Sequence, residues 1–220
     1  MNSSRSDRYH GAIARSYEEK RRNDGMWERE DEALEAVMAG MPPRCRVIDI
    51  PVGTGRFFPI YEASNASVVG VDISRDMIAL AVAKAADMAL DPEVVEGSIF
   101  DIPYGAASFD LAVCIRLMNW LDIDDVNKAL GELARVSGDR LVVSIAHAIP
   151  VSVSTVAPRA LAEGGRLVRR VLGRKPIVLH SRTEVQAAIE GSGLVVVDTF
   201  ALHSRRGAWE YVLWSLQKAR

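Results

Sequence analysis

Val47-Ile48-Asp49-Ile50-Pro51-Val52-Gly53-Thr54-Gly55-Arg56 decides the fold. A short apolar run ends at an acid and passes directly into a turn with two glycines, the pattern of a buried parallel strand leading into a loop. Glycine lets a ligand approach the backbone, and in a doubly wound sheet the turn at the carboxyl end of the first strand is where nucleotide-like ligands bind. Gly-x-Gly alone does not separate a ligand turn from a structural one. The second element tips the balance: Val69-Gly70-Val71-Asp72-Ile73-Ser74 is another strand ending in an acid, about 20 residues on, a spacing that suits an aspartate on ribose hydroxyls. A dinucleotide fingerprint would place a third glycine soon after Gly55. Phe57-Phe58-Pro59 stands there instead, which argues against a pyrophosphate cradle and against NAD.

Outward from this stretch, strand and helix patterns alternate. Compact apolar runs at Ser67–Asp72, Val94–Gly97, Phe109–Cys114 and Arg140–Ala146 read as further buried strands. Helical patterns cover Trp27–Ala39, stopped by Gly40 and Pro42-Pro43, then Ser74–Met88 and Ile123–Val136 with acids in their first turns. The alternation predicts an α/β fold with a parallel sheet. Ser181–Ser192 reads as a helix with Ser181 capping and Glu184 three residues later, so capping is the favoured role of the segment that His180 opens. Leu194–Leu202 and Trp209–Trp214, joined by Ser204-Arg205-Arg206-Gly207, predict a hairpin.

The chain is read as one unit. A polar N-terminal arm with its first helix spans 1–40, a core 44–146, an insertion or lid 147–180, and a C-terminal helix and hairpin 181–220. With 49% hydrophobic and 25% charged residues, the 220-residue chain has the composition of a self-folding globular domain. Lys plus Arg number 27 against 29 Asp plus Glu, so no cationic field argues for nucleic acid. No apolar run approaches a bilayer span and the first residues lack a signal-peptide core, which predicts a cytoplasmic location. Cys45 and Cys114 fall near the start of one strand and the end of another, too far apart to bridge, and read as core thiols.

Over residues 15–146 the chain resembles the class I S-adenosylmethionine-dependent methyltransferases. Asp49–Gly55 is similar to that family's first motif and Gly70–Met77 to its second. Glu96-Gly97-Ser98-Ile99, Asp101–Tyr104 and Ser108–Leu111 resemble the third motif and the approach to the fourth strand, and Tyr17 and Arg21 have the spacing of a Tyr-Asp-x-x-Arg lid. The resemblance implies a Rossmann-like, mostly parallel, seven-stranded sheet with helices on both faces and an antiparallel last strand. It implies S-adenosyl-L-methionine as cofactor and S-adenosyl-L-homocysteine as product. Pro51, Gly53, Thr54 and Gly55 would lie against the methionine part, with Asp49 organising its ammonium through water. Asp72 would grip the ribose, Ile73 and Met77 would line the adenine, and Ser98 and Ile99 would meet its edge. Ile115 and Arg116 would face the amino acid moiety, and Tyr17 and Arg21 would close over it.

Three departures from the family pattern bear on this reading. Pro51 replaces the opening glycine and removes an amide donor. Ser98 stands where an acid is frequent, so the contact to the adenine amino group moves to a hydroxyl or backbone group. Asn119-Trp120 stands where many relatives have paired histidines, which makes these two residues candidates for the acceptor site. Transfer from a sulfonium is an in-line displacement whose main requirement is near-attack contact. A hydroxyl acceptor gains from a base, and His147, just after the fifth strand, is the candidate. His10 and His203 read as solvated, and no histidines share metal-ligand spacing with cysteine or acid, so no metal site is expected. The acceptor implied is a small molecule bearing nitrogen or oxygen; its identity, and the oligomeric state, stay open. The basic cluster Arg166, Arg169, Arg170, Arg174 and Lys175 motivates a rival, RNA or protein methylation. Pro51, Ser98 and Asn119-Trp120 motivate another, a non-catalytic cofactor-binding or interaction module.

Overall fold

The structure is a computed structural model and describes residues 25–149, 177–205 and 209–219. Strands β1 (Arg46–Asp49), β2 (Ser67–Asp72), β3 (Glu93–Glu96), β4 (Phe109–Cys114), β5 (Ser137–Ala148), β7 (Leu194–Arg205) and β8 (Trp209–Lys218) form one sheet in the order 3-2-1-4-5-8-7. A two-residue strand, β6 (His180–Ser181), pairs in parallel with the end of β5. The pairings from β3 through β5 are parallel, whereas β8 runs antiparallel to both β5 and β7. This is the expected Rossmann-like sheet, with β6 as an addition too short for any sequence period to reveal.

Side chains alternate across each strand and so build two cores. Val47, Val68, Leu111, Val113 and Val142 pack on one face under helices α1 (Met26–Ala39), α2 (Phe58–Ala63) and α3 (Arg75–Ala85). Ile48, Val69, Ala112, Cys114, Leu141 and Val143 pack on the other under α4 (Ile123–Val136) and α5 (Arg182–Gly191). The helices are held as their sequences require. In α1, Ala33, Leu34, Val37 and Met38 are buried and the helix ends at Gly40. In α4, Asp122 caps by accepting from the Asp125 amide and a stripe from Val126 to Leu133 is buried. Ser181 and Glu184 form the predicted capping box of α5. The segment α2 was not legible as a helix, since six residues offer no repeat; Pro59 in its first turn suits a helix start. Both cysteines are buried and unbridged.

Strand β1 pairs with β2 on one side and β4 on the other, so the chain reverses its direction of winding at β1. The crevice outside the carboxyl ends of β1 and β4 is therefore the ligand position of a doubly wound sheet.

Candidate cofactor site

The loop after β1 is shaped by three constraints. The Ile50 amide bonds the Val113 carbonyl of β4 and the Val52 amide bonds the Val71 carbonyl of β2, so Pro51 sits between two residues that keep the ladder on either side. Gly70 makes room for that path: a Cβ there would come within 2.7 Å of Val52. Gly53 and Gly55 both have positive φ, 57° and 72°. A Cβ on Gly55 would lie 2.5 Å from the Phe58 ring, whereas one on Gly53 would meet no atom within 4 Å. Gly53 therefore offers bare backbone to an open space, which is what a ligand needs.

Asp72, at the end of β2, is buried. Its Oδ2 accepts from the Gly53 amide at 2.9 Å and its Oδ1 from the Ser74 amide at 2.8 Å. Burial raises its pKa while the Ser74, Gly53 and Ile73 amides pull it down. A carboxylate offers about four lone-pair sites, so acceptor capacity is left for a diol. Ser74 also caps α3 by accepting from the Met77 amide. Asp49, at the end of β1, is buried as well, 1% exposed, and its Oδ2 accepts from the Tyr61 hydroxyl at 3.1 Å. Burial pushes its pKa up to about 8; the Tyr61 bond and Arg56 oppose that rise and Asp72 adds to it.

On the far side, Ile73 is 49% exposed just past β2, an apolar side chain in the open, while Met77 and Ile99 are buried. The Ser98 hydroxyl accepts from the Phe100 amide. This loop is held from α4. Glu132 accepts from the Ile102 amide, and Arg135 donates to the carbonyls of Ile102 and Tyr104. Thr54 and Ile115 are buried, Ile115 within the core under α1 and α2.

The turn after β4 carries Arg116 at φ 66°, its amide donating to the Ser144 hydroxyl at 2.8 Å. Ser144 is in turn bonded to the Tyr211 hydroxyl at 2.5 Å. The Arg116 side chain reaches Glu30 of α1, which Arg56 of the glycine loop also contacts. Sequence reasoning singled out neither Glu30 nor Arg56, nor Tyr61, Ser144 or Tyr211. Glu30 carries a readable signal, an acid on the buried stripe of an amphipathic helix, but its partners lie far along the chain.

The two acceptor-site candidates and the candidate base sit in committed positions. Asn119, on the 3₁₀ turn Met118–Trp120, donates to the carbonyls of Ala146 and Val178 and accepts from the Ala146 amide. Its amide thus replaces a strand partner for β5 where β4 has turned away. Trp120, beside it, is partly buried. His147 is 0% exposed, and its Nε2 accepts from the Trp214 indole N–H at 2.9 Å. Indole can only donate, so the neutral ring carries its proton on Nδ1. Burial, then Arg182 and His180, push its pKa down to about 4. A general base needs a free lone pair, and the one this ring has is taken. Its geometry runs against the base role expected from its place in the sequence.

Tyr17 and Arg21, His10, most of the 147–180 insertion, the basic cluster at 166–175 and the hairpin tip at 206–208 lie outside the described residues. Among the described residues, no three His, Cys, Asp or Glu cluster to hold a metal, and no helix is long and apolar enough to cross a membrane.

These features, a switch-point crevice flanked by a bare glycine loop and an acid-tipped second strand, define the class: the fold is that of the class I S-adenosylmethionine-dependent methyltransferases. Residues 47–139 match the family profile described as a methyltransferase domain. Over 102 residues the chain is 37% identical to a demethylmenaquinone methyltransferase of Thermus thermophilus, covering 44% of this chain and 46% of that protein. Over 93 residues it is 30% identical to a phosphatidylethanolamine N-methyltransferase of Cereibacter sphaeroides, covering 41% and 44%. The chain thus spans just under half the length of these curated relatives. Among solved structures, magnesium protoporphyrin IX methyltransferase from Synechocystis PCC 6803 with bound SAH superposes with a TM-score of 0.75 at 18% identity, over 99% of each chain.

Proposed function

We propose that the chain binds S-adenosyl-L-methionine across the carboxyl ends of β1, β2 and β4 and passes its methyl group to a small-molecule nitrogen or oxygen nucleophile. The observation that carries this reading is Asp72. A buried carboxylate, clamped by the Gly53 and Ser74 amides, stands next to the one glycine of the loop whose missing side chain leaves open space. The residues fit the cofactor. Asp72 takes the ribose diol, Ile73 and Met77 the adenine face, Ser98 and Ile99 its edge, and Gly53 to Gly55 with Arg116 the methionine half. Asp49 serves the ammonium through water.

When bound, the cofactor supplies a methyl carbon activated by a sulfonium. The chain's own task is to orient and desolvate, since near-attack contact at about 3–3.5 Å accounts for much of such a barrier. The walls around the reacting end are stiff. Ser144 and Tyr211 fix the turn at Arg116, and Asn119 closes the gap between β4 and β5. His147 and Trp214 brace β5 against β8, a positioning role for the histidine. An amine acceptor needs only its neutral form and exclusion of water, and an ionised oxygen acceptor likewise needs no base. Binding tests the reading: in calorimetric titration the chain takes up S-adenosylhomocysteine with micromolar affinity and Asp72→Ala loses it. A chain that binds neither S-adenosylmethionine nor S-adenosylhomocysteine ends the proposal.

A further inference from the structure

Three elements meet at one buried carboxylate. Glu30, on α1, is 0% exposed. Both its oxygens accept from Arg116 Nε, at 2.7 and 2.9 Å, and Oε2 also accepts from Arg56 Nη1. Arg56 is fixed further by the Trp27 carbonyl and Asp31, each 2.6 Å from Nη2, and its guanidinium stacks 4.4 Å from the Trp27 ring centroid and 4.5 Å from that of Phe57. Arg116 lies 5.9 Å from the same Trp27 ring. Arg56 follows the glycine loop of β1, and Arg116 follows β4. These are the two loops that flank the switch-point crevice.

We propose that Glu30 is a positioning residue of the cofactor site: shared between Arg56 and Arg116, it holds the glycine loop and the turn after β4 at the separation the amino acid half of the cofactor requires. This rests on the cofactor reading above. The last ladder bond between the two strands on this side is Ile50 to Val113. Beyond it the backbones part, and side chains set the gap. A carboxylate offers about four lone-pair sites, enough for two guanidinium groups at once. A buried glutamate is tolerable only when so paired, and removing its charge takes away the anion that bridges two partly buried guanidinium groups, although Asp31 still pairs Arg56. With the bridge gone, this cluster no longer holds the two loops at that separation. Glutamine is the sharp probe because it keeps the shape and removes the charge, while turning one acceptor into a donor aimed at donors.

The experiment titrates the full chain and its Glu30→Gln variant with two probes, S-adenosylhomocysteine and 5′-methylthioadenosine, which shares the adenosine and lacks the amino acid end. The expected result is a loss of at least about tenfold in affinity for S-adenosylhomocysteine with 5′-methylthioadenosine held within about twofold. Equal weakening of both probes shows a merely structural role and overturns the proposal, as does no weakening of either. If Glu30→Gln does not fold, Arg56→Lys cuts the same bridge at the glycine loop, keeping the charge without the fork, and the same selective loss is required of it. A wild-type chain that binds neither probe removes the cofactor reading itself and the proposal with it, a result distinct from any pattern among the variants.

Discussion

Asp49→Asn should make the chain more stable at high pH and flatten the fall of stability with pH. Asp49 is 1% exposed, and its pKa stands at about 8 in the folded chain against 3.8 ordinarily. The sign follows from linkage. Between those values the folded state holds a proton that the unfolded chain has lost, so unfolding is favoured as pH rises. The penalty begins above the unfolded pKa and is complete above the folded one. At a limit of about 1.4 kcal/mol per pH unit, the wild type loses up to about 4 kcal/mol between pH 5 and pH 8 through this group alone. Asparagine keeps an oxygen for the Tyr61 hydroxyl, so the shape of the site survives. Asp31, whose pKa burial raises, and Glu132 and Glu184, whose values are lowered, are present in both proteins and cancel in the difference; Asp72, coupled to Asp49 by charge, responds to the same removal and is counted with it. Urea unfolding of both proteins at each pH from 5 to 8 measures that difference directly. A stability difference that stays constant across the range, or a variant less stable at pH 8, would refute the burial argument. Saturating S-adenosylhomocysteine should flatten the wild-type slope too, because its ammonium favours the ionised carboxylate.

Two further outcomes follow from the site. Gly53→Ala places a side chain at φ 57° without a clash, so it should cost only about 1 kcal/mol of stability yet abolish S-adenosylhomocysteine binding by filling the open face. Gly55→Ala adds a methyl 2.5 Å from the Phe58 ring and should cost about 2–3 kcal/mol. Thermal melts and calorimetry compare the pair, and intact binding in Gly53→Ala sinks the assignment of that face. For His147, nitrogen-detected NMR should find the proton on Nδ1 and a ring that stays neutral from about pH 5.5 to 8, since its pKa is pushed down to about 4. Titration near 6.5 would restore it as a candidate base.

Much of this protein was legible without coordinates. The strand-acid-glycine stretch at 47–56, the second acid at Asp72 and the alternation of periods determined a doubly wound sheet and the edge at which the glycine loop meets that acid. Those features are local: a period, a breaker or an acid at a strand end is written in consecutive residues. Even the antiparallel hairpin at the C-terminus followed from two β-rich runs and their turn. What only the tertiary structure decided was partnership. Glu30 reads in sequence as one acid of an amphipathic helix, yet it finds Arg116 across 86 residues. His147 reads as a residue at the lip of a strand, yet Trp214, 67 residues on, takes its lone pair. Asn119 reads as a residue after the fourth strand, and its amide bonds Ala146 and Val178, 27 and 59 residues on. A buried polar group must be satisfied, but periodicity carries no information about which distant group satisfies it. That choice is made by the packing of the sheet, and it settles which side chains are left to meet a ligand.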